Sequence, residues 1–296
     1  MEYQNLQILL YFVYMRILVT GSSGKLGSIT VRNLLRAGHN VTGIDLLASD
    51  TTEHFLDIQQ TEAVVEFTRS YDAIVHTAAL HGRHMDLNYS RQSFIDTNIT
   101  GTLNLLNACV KNGVKRFLFT STTSIYGKAL VDSEKAVWVT EELTIQPRDI
   151  YDITKQACEE LCRDFFEKEQ LMTSVYRVGR FLPEPDNLML NHRLYRGLDQ
   201  RDGAEALRLG IETDFTSFQI FNISSGSPFE IEDLIELKFN PLNVIATRVP
   251  KAIEIYRQKG WSFPASIDRV YRSDKAMQLL GYKPKYTFEF LLDQLP

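Results

Sequence analysis

Two short stretches carry side chains that could do chemistry together. In YDITK, Tyr151 and Lys155 stand at i and i+4, the spacing that puts two side chains on one face of a helix. A phenol left to itself titrates at about 10, too high for a base at neutral pH. A fixed ammonium beside it favours the phenolate and draws that value down. In FLFTSTTSIYG, residues 117–127, six hydroxyl side chains follow a short apolar run. One of them, Thr122, is placed to hold an alcohol against the phenol while Tyr151 takes its proton. YxxxK alone is a common accident on helices, with the tyrosine an ordinary rim aromatic, so its weight depends on what precedes it.

What precedes it is VTGSSGKLG, with Gly21, Gly24 and Gly27 between an apolar run and a helical stretch. Glycines there let the backbone turn tightly and approach a pyrophosphate, whose charge rests on the helix N-terminus. The spacing is GxxGxxG rather than GxGxxG, and a plain strand-to-helix turn uses the same residues. Asp45 closes the next apolar run, where a carboxylate takes the ribose hydroxyls of NAD and repels the 2′-phosphate of NADP. Lys25, inside the loop, is the one feature that favours NADP. Asp57 follows the third run, HFLDI, within reach of an adenine amine. With a dinucleotide bound, the proton that Tyr151 takes pairs with a hydride leaving the same carbon.

These residues need a rigid frame, and the apolar pattern supplies one. RILVT, NVTGID, YDAIVHTAA, KRFLFTS and MTSVYRVG read as strands, and KLGSITVRNLLRAG, TEAVVEFTRS, FIDTNITGTLNLLNACVKNG and YDITKQACEELCRDFFEKEQ as the helices between them. Continuous apolar runs mark strands buried on both faces. Strands alternating with helices predict an α/β fold, a doubly wound parallel sheet. The expected organisation is a Rossmann domain over 15–178 and a small C-terminal substrate lobe over 179–296. The segment about 202–223, a helix capped by Asp202 and the strand FQIFNIS, returns to the main sheet.

Composition narrows the function classes. The 296 residues are 44% hydrophobic and 23% charged with a net charge of −5, an ordinary globule without the basic footprint of a nucleic-acid binder. Three cysteines make no disulfide framework, which points to a cytoplasmic protein. Cys158 and Cys162 share a helix face and read as small packed residues. No His/Cys spacing suggests a metal, and the histidines other than His81 read as solvated. Residues 1–14 carry an apolar stretch shorter than the roughly 20 residues a membrane span needs. They also lack the basic start of a signal peptide, and are taken as an extension outside the fold.

TGSSGKLG, HTAALH, NITGTLNLLNAC, FTSTTSIYG, YDITK and SDKAMQLLGYKPKYTF together resemble the extended short-chain dehydrogenase/reductases of the NAD-dependent epimerase/dehydratase family. The resemblance runs from Met15 almost to the end. It implies that Thr122, Tyr151 and Lys155 are catalytic, with Lys155 also on the nicotinamide ribose. It implies cofactor contacts at Gly21, Gly24, Gly27, Asp45, Asp57, Ala78 and Thr120, and it makes the hydroxyl cluster the floor of a carbinol site. Asn98 matches a helix-start Asn of the family. Family members commonly dimerise through the helices at 95–112 and 151–168, where Leu105, Leu161 and Phe165 are the expected apolar contacts of a homodimer.

The substrate half departs from the nucleotide-sugar epimerases. Arg180 stands where they carry a diphosphate-binding Asn, and Tyr195 where they carry a phosphate-binding Arg, with Arg193 and Arg196 close enough to substitute. Thr123 and Ser124 replace the Asp-Glu of the dehydratases. RVGRFLPEPDN resembles the corresponding segment of uronate dehydrogenases. Arg180 reads equally as an anion clamp or as a surface partner of Glu184, while His81 and Thr123 are further candidate substrate contacts. The leading expectation is an NAD-dependent oxidoreductase acting on a secondary alcohol of a sugar or sugar acid. The alternatives are a nucleotide-sugar 4-epimerase with tightly bound NAD and a non-catalytic dinucleotide sensor.

Overall fold

The structure, a computed structural model, describes residues 14–295. The expected extension therefore lies, apart from Tyr14, outside the described residues. Among the described residues nine strands form: β1 Arg16–Thr20, β2 Asn40–Asp45, β3 His54–Phe55, β4 Ala73–His76, β5 Arg116–Thr122, β6 Val137–Val139, β7 Met172–Val178, β8 Gln219–Ile223 and β9 Arg269–Tyr271. Seven make one parallel sheet in the order β3-β2-β1-β4-β5-β7-β8. Beside β1 the order reverses, so the loops after β1 and β4 diverge and leave a crevice at the carboxyl edge of the sheet, where ligands of such folds bind. Thr20 pairs with His76, and Thr122 with Val178, so the ends of β1, β4, β5 and β7 all reach that edge.

The period of two within each strand builds the layers. Ile17, Val19 and Leu118 face one core, shared with Leu26, Leu34 and Leu207. Leu18, Phe117 and Phe119 face the opposite one, shared with Leu105, Leu106, Cys158 and Cys162. The three cysteines are free and buried. Leu207 belongs to the helix Gln200–Glu212, and β8 adds to the sheet at β7. A third core holds the rest of the C-terminal half, around Leu194, Phe229, Ile245, Tyr256 and Phe288, with β6 and β9 paired beside it. Among the described residues, no helix is long and apolar enough to cross a membrane.

Two helices differ from expectation. The long one before β5 runs as Arg91–Phe94, a wide π-type turn at Ile95–Thr100, and Gly101–Asn112. In the wide turn, Asn98 bonds the Leu80 amide and carbonyl and the Thr154 hydroxyl, which ties the loop after β4 to the later helix Ile150–Glu169. The helix Gln200–Glu212 is capped by Asp199, not by Asp202. The Asp202 carboxylate instead accepts the Lys285 and Tyr286 amides, 2.8 and 3.0 Å away. An acid in the first turn can serve the dipole without capping, and here a neighbouring segment claims it.

Candidate active site

The glycine loop is shaped by what presses on it. Gly21 takes φ +72°, and a Cβ there would lie 2.6 Å from the Ala78 amide nitrogen. A Cβ on Gly27 would stand 2.1 Å from the Gly21 carbonyl oxygen, so helix and turn meet only without side chains. Gly24 is the N-cap of the helix Lys25–Arg36, which has no side-chain cap and no acid in its first turn. Its first amides therefore present partial positive charge toward the crevice. Asp45 bridges this loop to the end of β2, accepting from the Ser23 amide at 3.0 Å and from Leu46 and Leu47 at 2.7 and 3.0 Å. Asp57, partly buried, accepts from the Gln59 amide in a local turn. Lys25 is exposed.

Across the crevice, the helix Ile150–Glu169, capped by Asp149, sets Tyr151, Lys155 and Glu159 one turn apart on the face toward β5. The Thr122 hydroxyl lies near enough to the Tyr151 phenol to favour its ionised form, and the Thr122 oxygen accepts from the Ser124 amide at 3.1 Å. The Lys155 ammonium donates to the Thr120 carbonyl at 2.7 Å and lies 4.5 Å from the centre of the Phe119 ring. Burial brings Lys155 down to about 8. The expectation that this ammonium lowers the phenol is not met: burial holds Tyr151 above its ordinary value, with the nearby Thr122 hydroxyl working against it. The Thr120 hydroxyl is buried without a partner among the described residues.

The hydroxyl cluster is not one surface, contrary to its reading as the floor of a carbinol site. Thr122 alone meets Tyr151. Ser121 donates to Glu159 at 2.5 Å, two helical turns beyond Tyr151. The Thr123 hydroxyl is buried and faces the Val178 carbonyl at 3.4 Å, which takes it away from any substrate. Ser124 accepts from Arg148. Tyr126, fully buried, donates to Asn222 at 2.7 Å and accepts from Arg177 at 3.0 Å. The Arg177 guanidinium lies 2.6 Å from Glu159, both side chains almost wholly buried. This Arg177–Glu159 pair was missed by reading the sequence. Its signal was the continuation of Tyr151 and Lys155 by Glu159 at the next i+4 position.

The remaining candidates fall into two places. His81, half-buried, begins the short helix Gly82–Asp86 and stacks edge-on with His84 at 4.4 Å. Burial, then the neighbouring His84, pushes it down to about 4. His76 is not solvated as expected: it is buried between Thr20 and Thr102, 2.7 and 3.0 Å from their hydroxyls. Arg180 donates twice to Glu184, at 2.8 and 2.5 Å. Arg193 is buried, 3.3 Å from Asp199. Both arginines line one cleft with Lys25. Tyr195 is buried in the lobe's core.

Residues 17–184, more than half of the chain, match the NAD dependent epimerase/dehydratase family. The chain belongs to that family. Among its relatives is UDP-glucose 4-epimerase 4 of Oryza sativa subsp. japonica, 33% identical over 177 residues that cover 52% of this chain and 45% of the rice protein. The chain thus spans about half the length of the curated relatives it first matches. The UDP-glucose 4-epimerase of Halalkalibacterium halodurans is 26% identical, with 92% of this chain and 91% of that protein aligned. Among solved structures, the UDP-N-acetylglucosamine 4-epimerase from Bacillus cereus superposes with a TM-score of 0.68 at 25% identity, over 95% of this chain and 97% of that one. Gly21, Gly24, Gly27, Thr122, Tyr151 and Lys155 all lie within the matched span.

Proposed function

We propose that this family member is an NAD-dependent oxidoreductase acting on a secondary alcohol of a sugar or sugar acid. The observation that carries the reading is the placing of Thr122, Tyr151 and Lys155 together at the carboxyl edge of the sheet, across the crevice from the glycine loop. The site fits NAD. An uncapped helix N-terminus suits the pyrophosphate, and the Asp45 carboxylate retains acceptor capacity beyond its three amides. The orphaned Thr120 hydroxyl and Lys155 offer polar groups where the nicotinamide ribose would lie. Bound NAD supplies the hydride acceptor. Thr122 holds the alcohol oxygen against Tyr151, whose phenolate, favoured by the Lys155 ammonium and by the positive charge that the bound cofactor would bring, takes its proton. Lys155, fixed by the Thr120 carbonyl, keeps a positive charge beside the phenol as its proton balance shifts.

A second reading, a nucleotide-sugar 4-epimerase that keeps its NAD, is favoured by the names of the relatives. The same three residues would serve it. A non-catalytic sensor would not need Thr122, Tyr151 and Lys155 assembled in this way. The test is net NADH formation against sugars and nucleotide sugars.

Two outcomes follow from this reading. Asp45 ends β2 beside the ribose position, so NAD should bind about tenfold or more tightly than NADP, roughly 1.4 kcal/mol. Equal affinities by titration would show that Lys25 outweighs Asp45. We also expect a homodimer through the two long helices, since two-fold dimers are the commonest closed assemblies. Its apolar contacts must differ from those first expected, because Leu105 and Phe165 are buried in the subunit's own core. Val110 and Ile153, 39% and 51% exposed, remain on those helices. A monomeric mass by light scattering at micromolar concentration would count against the dimer.

A further inference from the structure

Next to the proposed base stands a carboxylate, Asp152, fully buried in the first turn of the helix Ile150–Glu169. An acid there suits the helix dipole, but an acid in water serves that purpose equally, and Asp149 already caps the helix. Burying a carboxylate is costly unless its oxygens are satisfied. One oxygen of Asp152 accepts the Arg148 amide at 3.2 Å and lies 3.6 Å from Arg148 Nε. The other has no partner among the described residues.

The groups around Asp152 reach Tyr151 as well. In the turn after β5, the Ser124 hydroxyl lies near enough to Asp152 to favour its ionised form. The same hydroxyl accepts from Arg148 Nη2 at 3.2 Å, and the Ser124 amide donates to Thr122. Arg148, 45% exposed, is the one cation against Asp152. Its loop is pressed onto the turn: a Cβ on Gly127 would stand 1.9 Å from the Gln146 carbonyl oxygen and 3.2 Å from Arg148 Cγ. On the helix, Asp149 takes the Asp152 amide at 3.0 Å. Lys155 stands one turn beyond Tyr151, with Glu159 supporting its charge and His76 and His81, on and after β4, feeling it. Burial pushes the Asp152 carboxyl up, with Ser124 and the Arg148 amide working against it. Beyond burial and Thr122, the charges of Asp152 and then Asp149 bear on Tyr151, both opposing its ionisation. Two acids in one small buried neighbourhood ionise at each other's expense.

We propose that Asp152 is a positioning residue for the reaction, a buried carboxylate that acts through Tyr151 by holding the phenol's proton in place against the cations of the site. The proposal rests on the reading of Tyr151 as the base. It gives the site two opposed charges around one phenol, Lys155 drawing the proton off and Asp152 keeping it on.

The test is a pH titration of the full chain saturated with NAD, its tyrosines isotope-labelled at the ring carbon that bears the oxygen and followed by NMR. The Tyr151 signal is the one missing from Tyr151→Phe. Asp152→Asn keeps the shape and removes the charge, so its Tyr151 should ionise about tenfold more readily, the order expected when a like charge is removed at close range. The midpoint then moves to lower pH. A carboxylate that only starts the helix would change thermal stability and leave the Tyr151 titration where it was. Arg148→Met takes away the cation that faces Asp152 and should move the midpoint the opposite way. That side chain is half-exposed, so this variant decides the matter if Asp152→Asn does not fold. An unmoved midpoint in the variant that folds, a move to higher pH in Asp152→Asn, or a Tyr151 that titrates in neither chain would each overturn the proposal. A base works only after losing its proton, so NADH formation in Asp152→Asn should also begin at lower pH. The titration is read without turnover. A shifted midpoint in a chain that never forms NADH therefore fails the oxidoreductase reading and leaves the hold of Asp152 on Tyr151 standing.

Discussion

Tyr151→Phe should bind NAD as the wild type does and transfer hydride about 10²–10⁴ times more slowly, the usual worth of a positioned base. The substitution removes one oxygen and leaves the ring in place. What it deletes is the hydroxyl beside Thr122, the group that accepts the alcohol's proton. Lys155→Met should damage both affinity and rate, because the ammonium that anchors on the Thr120 carbonyl at 2.7 Å is assigned to the ribose as well as to the phenol. Thr122→Val should slow turnover with little change in NAD affinity, whereas Thr122→Ser keeps the oxygen and should be tolerated. Single-turnover measurements with NAD titrations on the four variants separate these effects. A tyrosine that merely lines the rim would leave every rate near wild type.

The second large effect is on stability and lies beneath the site. Arg177→Met should destabilise the fold by about 3–5 kcal/mol, because it strands a buried carboxylate. Glu159 is 2% exposed and takes three bonds from Arg177 and one from Ser121. With Arg177 gone, one hydrogen bond from Ser121 and the charge of nearby Lys155 remain to compensate it. The Tyr126 hydroxyl would lose a donor as well. The comparison is Arg16→Met. Arg16 pairs with Asp72 at 2.8 Å, but the side chains are 50% and 40% exposed, and such solvent-screened pairs contribute little. Urea unfolding of the two variants should therefore differ severalfold in lost stability. A loss below about 1 kcal/mol in Arg177→Met would show that the buried pair does not hold the helix Ile150–Glu169 to β5 and β7.

These two results bear on how far the sequence could be read. The sheet was legible because β1, β4 and β5 are short apolar runs between amphipathic helices, and the period of two within each run already divides the two cores. The glycine loop was legible because its requirement is steric: no Cβ fits at Gly21 or Gly27. The hydroxyl cluster misled because each hydroxyl takes a partner of its own that only the fold supplies: Ser121 serves Glu159, Thr123 the Val178 carbonyl and Tyr126 Asn222. Partners such as Arg177–Glu159 and Arg193–Asp199 join segments that only the fold brings together, and a single sequence carries no register for them. The phenol's titration was misjudged because proximity to Lys155 was weighed and burial was not. The expected dimer contacts failed in a similar way: Leu105 and Phe165 are apolar on the right helices but face inward.

The central claim is that hydride leaves the substrate and the reduced cofactor leaves the protein. It is tested most directly by incubating the full chain with NAD and a panel of hexuronates, free hexoses and UDP-hexoses while following NADH absorbance. The account predicts net NADH accumulating in step with substrate consumed. Interconversion of a UDP-hexose with its C4 epimer, with no net NADH from any compound, would contradict it.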